Sequence, residues 1–524
     1  MFQKINSTIW HSIENHFIPP PPDSNKSRAW RYTVGALMLP LGLTTVSITS
    51  IISCAGKCFC CCRKDDDRDP NDDFTVVLKD SRKWKLIEDP EKKIDFKANI
   101  LFGVATCTYQ DSGSKNCPDS QWADWEKEIL PVERRSGASA NLFGLYQSQE
   151  GYKEITDRLH RLGVNSYRFS IEWSHIEPEE GRFDEEKLKI YVAFCKHLRE
   201  EGISPMITLH HFSEPKWFHK KGGFENEDNI KCFLDFVEYV FPHLTQSYNE
   251  KPLVEYFCTI NEPAGDAFSK YIRGAHPPGA KLRFKRAGLF LKGALKAHGL
   301  AYSKLKAIAP DVKIGIIHSY SPVIAKNTVV YPIARNLTRL INDTALNFFR
   351  TGVFDYKIPL SCNIQEAFDF GTDFIGLQFY ARTLIGLTGS TSYHEPMTEM
   401  PYREDPEGLY EAVVETYKAA NKPIIITENG ISTRDPKQRS RYMGRALYAA
   451  NQAKNSIGEE NLQGYYCWTF TDNFEWSFGM GRQPFGLFSL DEGNIASTPK
   501  EGAESFIAII SSDTGEGKSG KEEI

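Results

Sequence analysis

Short apolar runs alternate with amphipathic stretches along most of the chain, and that alternation is the first thing the sequence offers. Eight runs have the length and β-branched character of buried strands: ILFGVAT, VNSYRFSI, SPMITLH, EYFCTI, KIGIIHS, DFIGLQF, PIIIT and GYYCWTF. Helical patterns fall between them. In GYKEITDRLHRLG, residues 151 to 163, Ile155, Leu159 and Leu162 share one face, which makes it a surface helix packed on a core. Eight strands interleaved with helices over roughly 400 residues predict an α/β fold, a (β/α)8 TIM barrel with elaborated loops, not a doubly wound sheet. This barrel is expected over residues 98 to 510 as a single catalytic domain.

The pattern breaks at both ends. Residues 32 to 56 carry no charge and lie between Arg28 and Arg31 on one side and Lys57, Arg63 and Lys64 on the other. That length suits a bilayer-spanning or membrane-anchoring segment, although Thr, Ser, Gly and Pro40 dilute its apolar character. A signal-like segment, a stretch buried in protein and interfacial insertion around Pro40 are the competing readings. The cysteine-rich KCFCCC follows at once, so residues 32 to 62 are read as a membrane anchor with a Cys cluster open to S-acylation. Basic residues on both flanks leave the orientation unassigned. Residues 1 to 31 form an N-terminal polar segment, 63 to 97 a charged linker and 511 to 524 a disordered tail.

Composition narrows the function. With 41% hydrophobic and 25% charged residues the 524-residue chain is globular, and a net charge of -5 with no basic footprint argues against nucleic acid. Of the 12 cysteines, those outside the 54 to 62 cluster are scattered through apolar runs and read as reduced core thiols. Sequons stand at Asn6, Asn25, Asn336 and Asn342, and they carry meaning only in a secretory compartment. No metal-ligand spacing, Walker loop, GxSxG elbow or strand-borne GxGxxG is present, so neither a metal nor a cofactor is expected.

In a barrel of this kind every strand's C-terminal end opens on one mouth. Two strands deliver a glutamate there: YFCTINEP supplies Glu262 and IIITENGIS supplies Glu428. An unpaired buried carboxylate is too costly to keep for packing, so the two read as one site. Following the remaining strands adds Gln110, Arg168, His210, His211, Asn261, Gln378, Tyr380, Trp468, Glu475 and Trp476 to the same mouth. Amide, imidazole, hydroxyl and indole groups around two carboxylates suit a neutral polyol, that is, a sugar.

FGVATCTYQ, SYRFSIEWSHIEP, TLHHFSEP, TINEP, DFIGLQFY, IIITENG and WTFTDNFEWSFG, in this order, resemble the signature blocks of glycoside hydrolase family 1, the β-glucosidase family. The resemblance implies a retaining β-glycosidase acting on β-linked glucosides, galactosides or fucosides. It implies Glu262 as general acid/base, Glu428 as nucleophile, and Arg168 and Tyr380 as the pair orienting that nucleophile. Gln110, His211, Asn261, Tyr380, Trp468, Glu475 and Trp476 correspond to substrate-binding positions, Asn261 toward the 2-hydroxyl and Trp468 as the stacking floor. His210 alone keeps the reading of a rim histidine. Arg168 and Tyr380 are expected to keep Glu428 ionised while Glu262 is raised, with carboxyl groups about 5 to 5.5 Å apart.

The departures bear on specificity. Gln378 stands where the family usually has Asn, Phe379 replaces its first Tyr, Phe212 replaces a frequent Trp, and GMGRQPFG alters the loop carrying Phe485. Glu475 argues for an unphosphorylated glycone, since relatives acting on 6-phospho sugars lack that acid. Two alternatives stand beside hydrolysis: a membrane-tethered transglycosylase using a sugar or glycolipid acceptor, and a non-catalytic sugar-binding barrel. The second is disfavoured because both glutamates are present. The expected partners are thus a small-molecule or glycolipid β-glycoside and, through residues 32 to 62, a membrane whose identity the sequence leaves unassigned.

Overall fold

The computed structural model describes residues 94–96, 100–325, 329–358, 361–386, 389–390 and 396–514. The expected anchor at 32 to 62, its cysteine cluster and most of the flanking polar and charged segments lie outside these residues. Among the described residues no helix is long and apolar enough to cross a membrane.

All eight predicted runs form strands, and they close a parallel barrel in chain order. The strands are β1 (Leu101–Ala105), β2 (Ser166–Ser170), β3 (Ser204–His210), β4 (Tyr256–Ile260), β5 (Lys313–Ser319), β6 (Phe374–Gln378), β7 (Ile424–Asn429) and β8 (Leu462–Trp468). Each pairs with its successor, and β1 closes the ring on β8 from Leu101↔Gly464 to Ala105↔Trp468. A helix follows every strand: α1 (Gln149–Leu162), α2 (Glu185–Glu200), α3 (Ile230–Leu244), α4 (Phe284–Ile308), α5 (Thr344–Thr351), α6 (Gly408–Ala420), α7 (Pro436–Ile457) and α8 (Glu504–Thr514).

The sequence signals act where they were read. Ser148 caps α1 by accepting from the Gly151 amide, and Gly163 ends it in the left-handed region that a Cβ disfavours. Ile155, Leu159 and Leu162 are fully buried, each contributing about 1.5–3 kcal/mol relative to exposure. Met206, Cys258, Ile317, Phe374, Ile425 and Tyr466, from successive strands, belong to one buried cluster that fills the barrel below its mouth. None of the described cysteines is in a disulfide, and five of the seven are buried.

Two expectations change. Helix α8 runs through Thr514, four residues beyond the expected boundary at 510, because Phe506, Ile509 and Ile510 bury against the body and carry the helix on. The linker's last residues are attached: Phe96 is buried edge-on to Phe102 at 5.1 Å, and the Asn451 amide donates to the Asp95 carbonyl at 2.7 Å. Of the sequon residues, Asn342 is buried and its side-chain oxygen pairs with His318 Nε2 at 3.1 Å. Asn336 is exposed.

A smaller compact unit was not foreseen. Its described part is a three-stranded sheet, Val323–Ala325, Thr383–Gly386 and Gly389–Ser390, with the helix Tyr331–Thr338. Thr338 Oγ1 ties it together by accepting from the Val323 amide at 2.8 Å and donating to its carbonyl at 2.9 Å.

Candidate active site

Arg168, on β2, is the hub of the barrel mouth. Fully buried, it donates from Nε to Thr208 Oγ1 (3.0 Å), from Nη1 to Glu428 Oε1 (2.7 Å) and the Thr427 carbonyl (3.2 Å), and from Nη2 to Asn261 Oδ1 (2.8 Å). The planar fork thus reaches β3, β7 and the end of β4 at once. Tyr380 Oη donates to the other Glu428 oxygen at 2.8 Å, and His211 Nε2 lies 3.8 Å from Oε1. Burial, with Arg168 and His210 nearby, pushes His211 well below its ordinary value, so it stands neutral beside the carboxylate.

Glu428 lies inside β7, not after it, and reaches this position through a bulge. Ile426 pairs with Leu377 while Glu428 pairs with Gln378, so Thr427 is the extra residue that re-aims the next side chain. The following Gly430 is held by close packing: a Cβ there would meet the Trp468 carbonyl oxygen at 2.0 Å.

Glu262 stands two residues past the end of β4, after Asn261, and precedes the helix Pro263–Tyr271, with φ 41°. Phe212 and Trp476, at φ 61° and 44°, are also left-handed at this mouth. Such conformations cost about 1–3 kcal/mol each for residues with a Cβ and persist where the surroundings fix them. Burial and the Glu428 charge raise the Glu262 carboxyl to about 8, opposed by Ser319 and Arg168. Burial raises Glu428 as well, with the Arg168 guanidinium and the Tyr380 hydroxyl pulling it back. The contrast is therefore between two raised carboxyls, and the cation sits on Glu428. Arg168 and Tyr380 act on Glu428 in the expected direction, toward the charged form, although desolvation inside the barrel outweighs them. The two groups titrate as a pair, with the first charge going to the partner of Arg168.

The remaining predicted residues join the same mouth. Burial and the Glu428 charge also raise Glu475 to about 8, while its hydrogen bonds to Gln110 and Trp468 pull it down. Gln110 Nε2 donates to the Phe474 carbonyl at 2.9 Å. Trp468 lies beside His211, ring centroids 5.9 Å apart, and Trp476 lies 6.4 Å from the same ring. Gln378 donates to Asn261 Oδ1 at 2.9 Å, so that oxygen is filled by two donors. Gln110 Oε1, Asn261 Nδ2, Gln378 Oε1 and Glu475 Oε2 are buried with no protein partner. His210 Nε2 approaches Glu214 at 3.4 Å, as befits a rim histidine. Phe379 is buried in the core, and Phe485 packs on Tyr380 at 5.7 Å.

Several neighbours escaped the sequence reading. Tyr109 stacks on Trp476 at 6.2 Å, and Trp122 lies 4.6 Å from it. Tyr402 is raised by burial of its hydroxyl and then by charges that include Glu475 and Glu262. Glu214, Asp266, Lys270 and His276 form a buried charged cluster behind Glu262. Tyr109 and Trp122 could have been flagged by their place in the connection after β1, whereas Tyr402, between β6 and β7, and the charged residues give no signal without their partners.

The sequence profile of glycosyl hydrolase family 1 matches residues 92–359 and 376–514. The chain is 28% identical to β-glucosidase A of Thermotoga maritima over 433 residues, covering 76% of this chain and 93% of that enzyme. It is 26% identical to the 6-phospho-β-galactosidase of Staphylococcus epidermidis over 467 residues, covering 77% of this chain and 96% of that one. Among solved structures, the β-glycosidase from Pyrococcus horikoshii superposes with a TM-score of 0.70 at 29% identity, covering 80% of this chain and 96% of that one. With its blocks in family order on a closed (β/α)8 barrel, the chain belongs to glycosyl hydrolase family 1 and is a retaining β-glycosidase in fold and reaction class.

Proposed function

We propose that Glu428 is the nucleophile and Glu262 the general acid/base of a double displacement on β-linked glucosides, galactosides or fucosides. The observation that carries this assignment is the Arg168 fork, which holds Glu428 at 2.7 Å and Asn261 at 2.8 Å. A cation and the Tyr380 hydroxyl on one carboxylate favour its charged, attacking form. Glu262, without such a cation and raised to about 8, holds a proton for the leaving oxygen near neutral pH and then takes one from water.

The glycone site is read from the unpaired atoms. Asn261 can only donate, because its carbonyl oxygen is filled, and a sugar 2-hydroxyl is the acceptor its position suits. Gln110 Oε1 and Glu475 Oε2 are acceptors for further hydroxyls, and Trp468 offers an indole face to the ring. Glu475 also argues against the phosphorylated sugars that the staphylococcal relative's name specifies. Charged, it repels a phosphate dianion, and protonated, it offers that dianion a single donor.

Hydrolysis of a panel of aryl β-glycosides, one of them 6-phosphorylated, tests the reading, with Glu428→Ala and Glu262→Gln as controls. The expected result is turnover of a free glucoside, galactoside or fucoside, abolished in Glu428→Ala. Preference for the 6-phospho sugar would overturn the glycone assignment. Turnover surviving in Glu428→Ala would overturn the nucleophile.

The uncharged run and cysteines at 32 to 62 support a membrane tether for this barrel. Retention of the full-length chain in carbonate-washed membranes, and its release when residues 32 to 62 are deleted, is the expected outcome. Extraction of the intact chain by carbonate would contradict the tether. Product analysis with a glycolipid present separates hydrolysis, which yields free sugar alone, from transfer to a lipid acceptor.

A further inference from the structure

The Glu262 carboxyl lies back over the first turn of the helix that follows it. A Cβ placed on Gly265 would come within 2.8 Å of Glu262 Oε2, so the carboxyl occupies the space that a side chain at 265 would fill. The same turn is closed by the Asp266 amide donating to the Glu262 carbonyl at 2.8 Å. Wherever this turn sits, the acid sits.

What fixes the turn is a buried charged cluster. Asp266 Oδ1 accepts from His276 Nδ1 at 2.9 Å, and its other oxygen lies 3.4 Å from Lys270 Nζ one turn on. Lys270, buried over the Phe290 ring at 4.8 Å, reaches Glu214 Oε1 at 3.3 Å. Glu214 is anchored in the loop after β3 by His219 (2.8 Å) and His210 (3.4 Å). His276 in turn packs against Trp122 at 5.1 Å, Phe212 at 5.2 Å and Trp476 at 5.9 Å. The turn is thereby tied to the β3 loop on one side and to the aromatic wall of the sugar site on the other.

Three buried charges in one cluster are a poor way to gain stability, since apolar residues of similar volume do as well or better. A geometric role accounts for them. We propose that Asp266, held by Lys270 and His276, is a positioning residue for Glu262: it fixes the turn on which the acid/base carboxyl rests. Glu214 extends the restraint to the loop that carries His211.

The proposal rests on the acid/base reading of Glu262 and is tested so that the two fail separately. In the full-length chain, kcat/KM is measured for Asp266→Asn, Lys270→Met, Gly265→Ala and Glu262→Gln. Each is assayed on a dinitrophenyl glycoside, which departs without protonation, and on an alkyl glycoside, which needs the acid. Asp266→Asn and Lys270→Met are expected to lose about 10- to 100-fold on the alkyl substrate and under about threefold on the dinitrophenyl one, a fraction of the full general-acid contribution. Gly265→Ala should show the same split with an undiminished melting temperature, because Ala is the better helix former and only the carboxyl must move. Equal losses on both substrates would make the cluster a stability element, and wild-type values on both would make it inert. Either result overturns the proposal. A Glu262→Gln variant with no leaving-group dependence would instead overturn the acid/base reading beneath it.

Discussion

A guanidinium with no solvent contact must find acceptors on every edge, and Arg168 finds Thr208, Thr427, Glu428 and Asn261. Removing it strands a buried carboxylate, so Arg168→Met should lower unfolding stability by about 3–5 kcal/mol in a denaturant titration. Arg168→Lys should recover only part of the loss, since an ammonium cannot fork between Glu428 and Asn261. Stability equal to the native chain in Arg168→Met would refute the role of hub. The pH profile belongs to the same scale. Glu262 must be protonated to act as acid, and burial with the Glu428 charge raises it to about 8, so kcat/KM should fall as pH rises through about 8. In Glu262→Gln, assayed on the same acid-requiring glycoside that shows it in the native enzyme, that alkaline limb should vanish from the residual activity; its survival would assign the limb to another group.

At the scale of elements, the sequence made the barrel legible because each strand is a short apolar run closed by polar or Gly-rich loops, and their order in the chain is their order in the barrel. The bulge at Thr427 was hidden, because a bulge depends on the register of two strands. The same holds for the small sheet, whose strands Val323–Ala325 and Thr383–Gly386 are too short to give a pattern. Gly430 shows how a motif residue gains a physical reason only from packing. Its missing Cβ lets β7 leave the barrel under the Trp468 carbonyl, so Gly430→Ala must push the end of β8, and with it the indole, out of its place at the barrel mouth. A rise in KM for the preferred glycoside together with a fall in kcat is expected. Unchanged kinetics in a folded Gly430→Ala enzyme would show that β8 can yield there without disturbing the site.

Across the whole molecule, the catalytic mouth is a place where the fold gives up stability. Glu262 and Glu475 are both raised to about 8 in the folded chain, above the ordinary carboxylate value near 4.5. Between those values the folded state binds more protons than the unfolded one, so their contribution to stability is present at low pH and lost as pH rises through about 8. Glu475→Gln cannot lose that proton, and its melting temperature should gain on the native chain between about pH 5 and pH 9. A difference independent of pH would show that Glu475 carries no part of this pH dependence. The buried cluster of Glu214, Asp266 and Lys270 was not legible beforehand. Asp266 and Lys270 stand four residues apart, a spacing common to solvated helix pairs, and only folding brings Glu214, 56 residues away from Lys270, beside them in the interior. The glutamates were legible for the opposite reason: each ends an apolar run, where a carboxylate has no packing value.

As the proposed nucleophile, Glu428 forms a covalent bond to the anomeric carbon. Incubating the full-length enzyme with a dinitrophenyl 2-deoxy-2-fluoro-β-glycoside, which forms the glycosyl-enzyme but turns it over slowly, and sequencing the labelled peptide by mass spectrometry tests this directly. The label is predicted on Glu428, within IIITENG, and on no other residue. A label on Glu262 or any other side chain, or an active enzyme that never accumulates one, would contradict the assignment of nucleophile and acid.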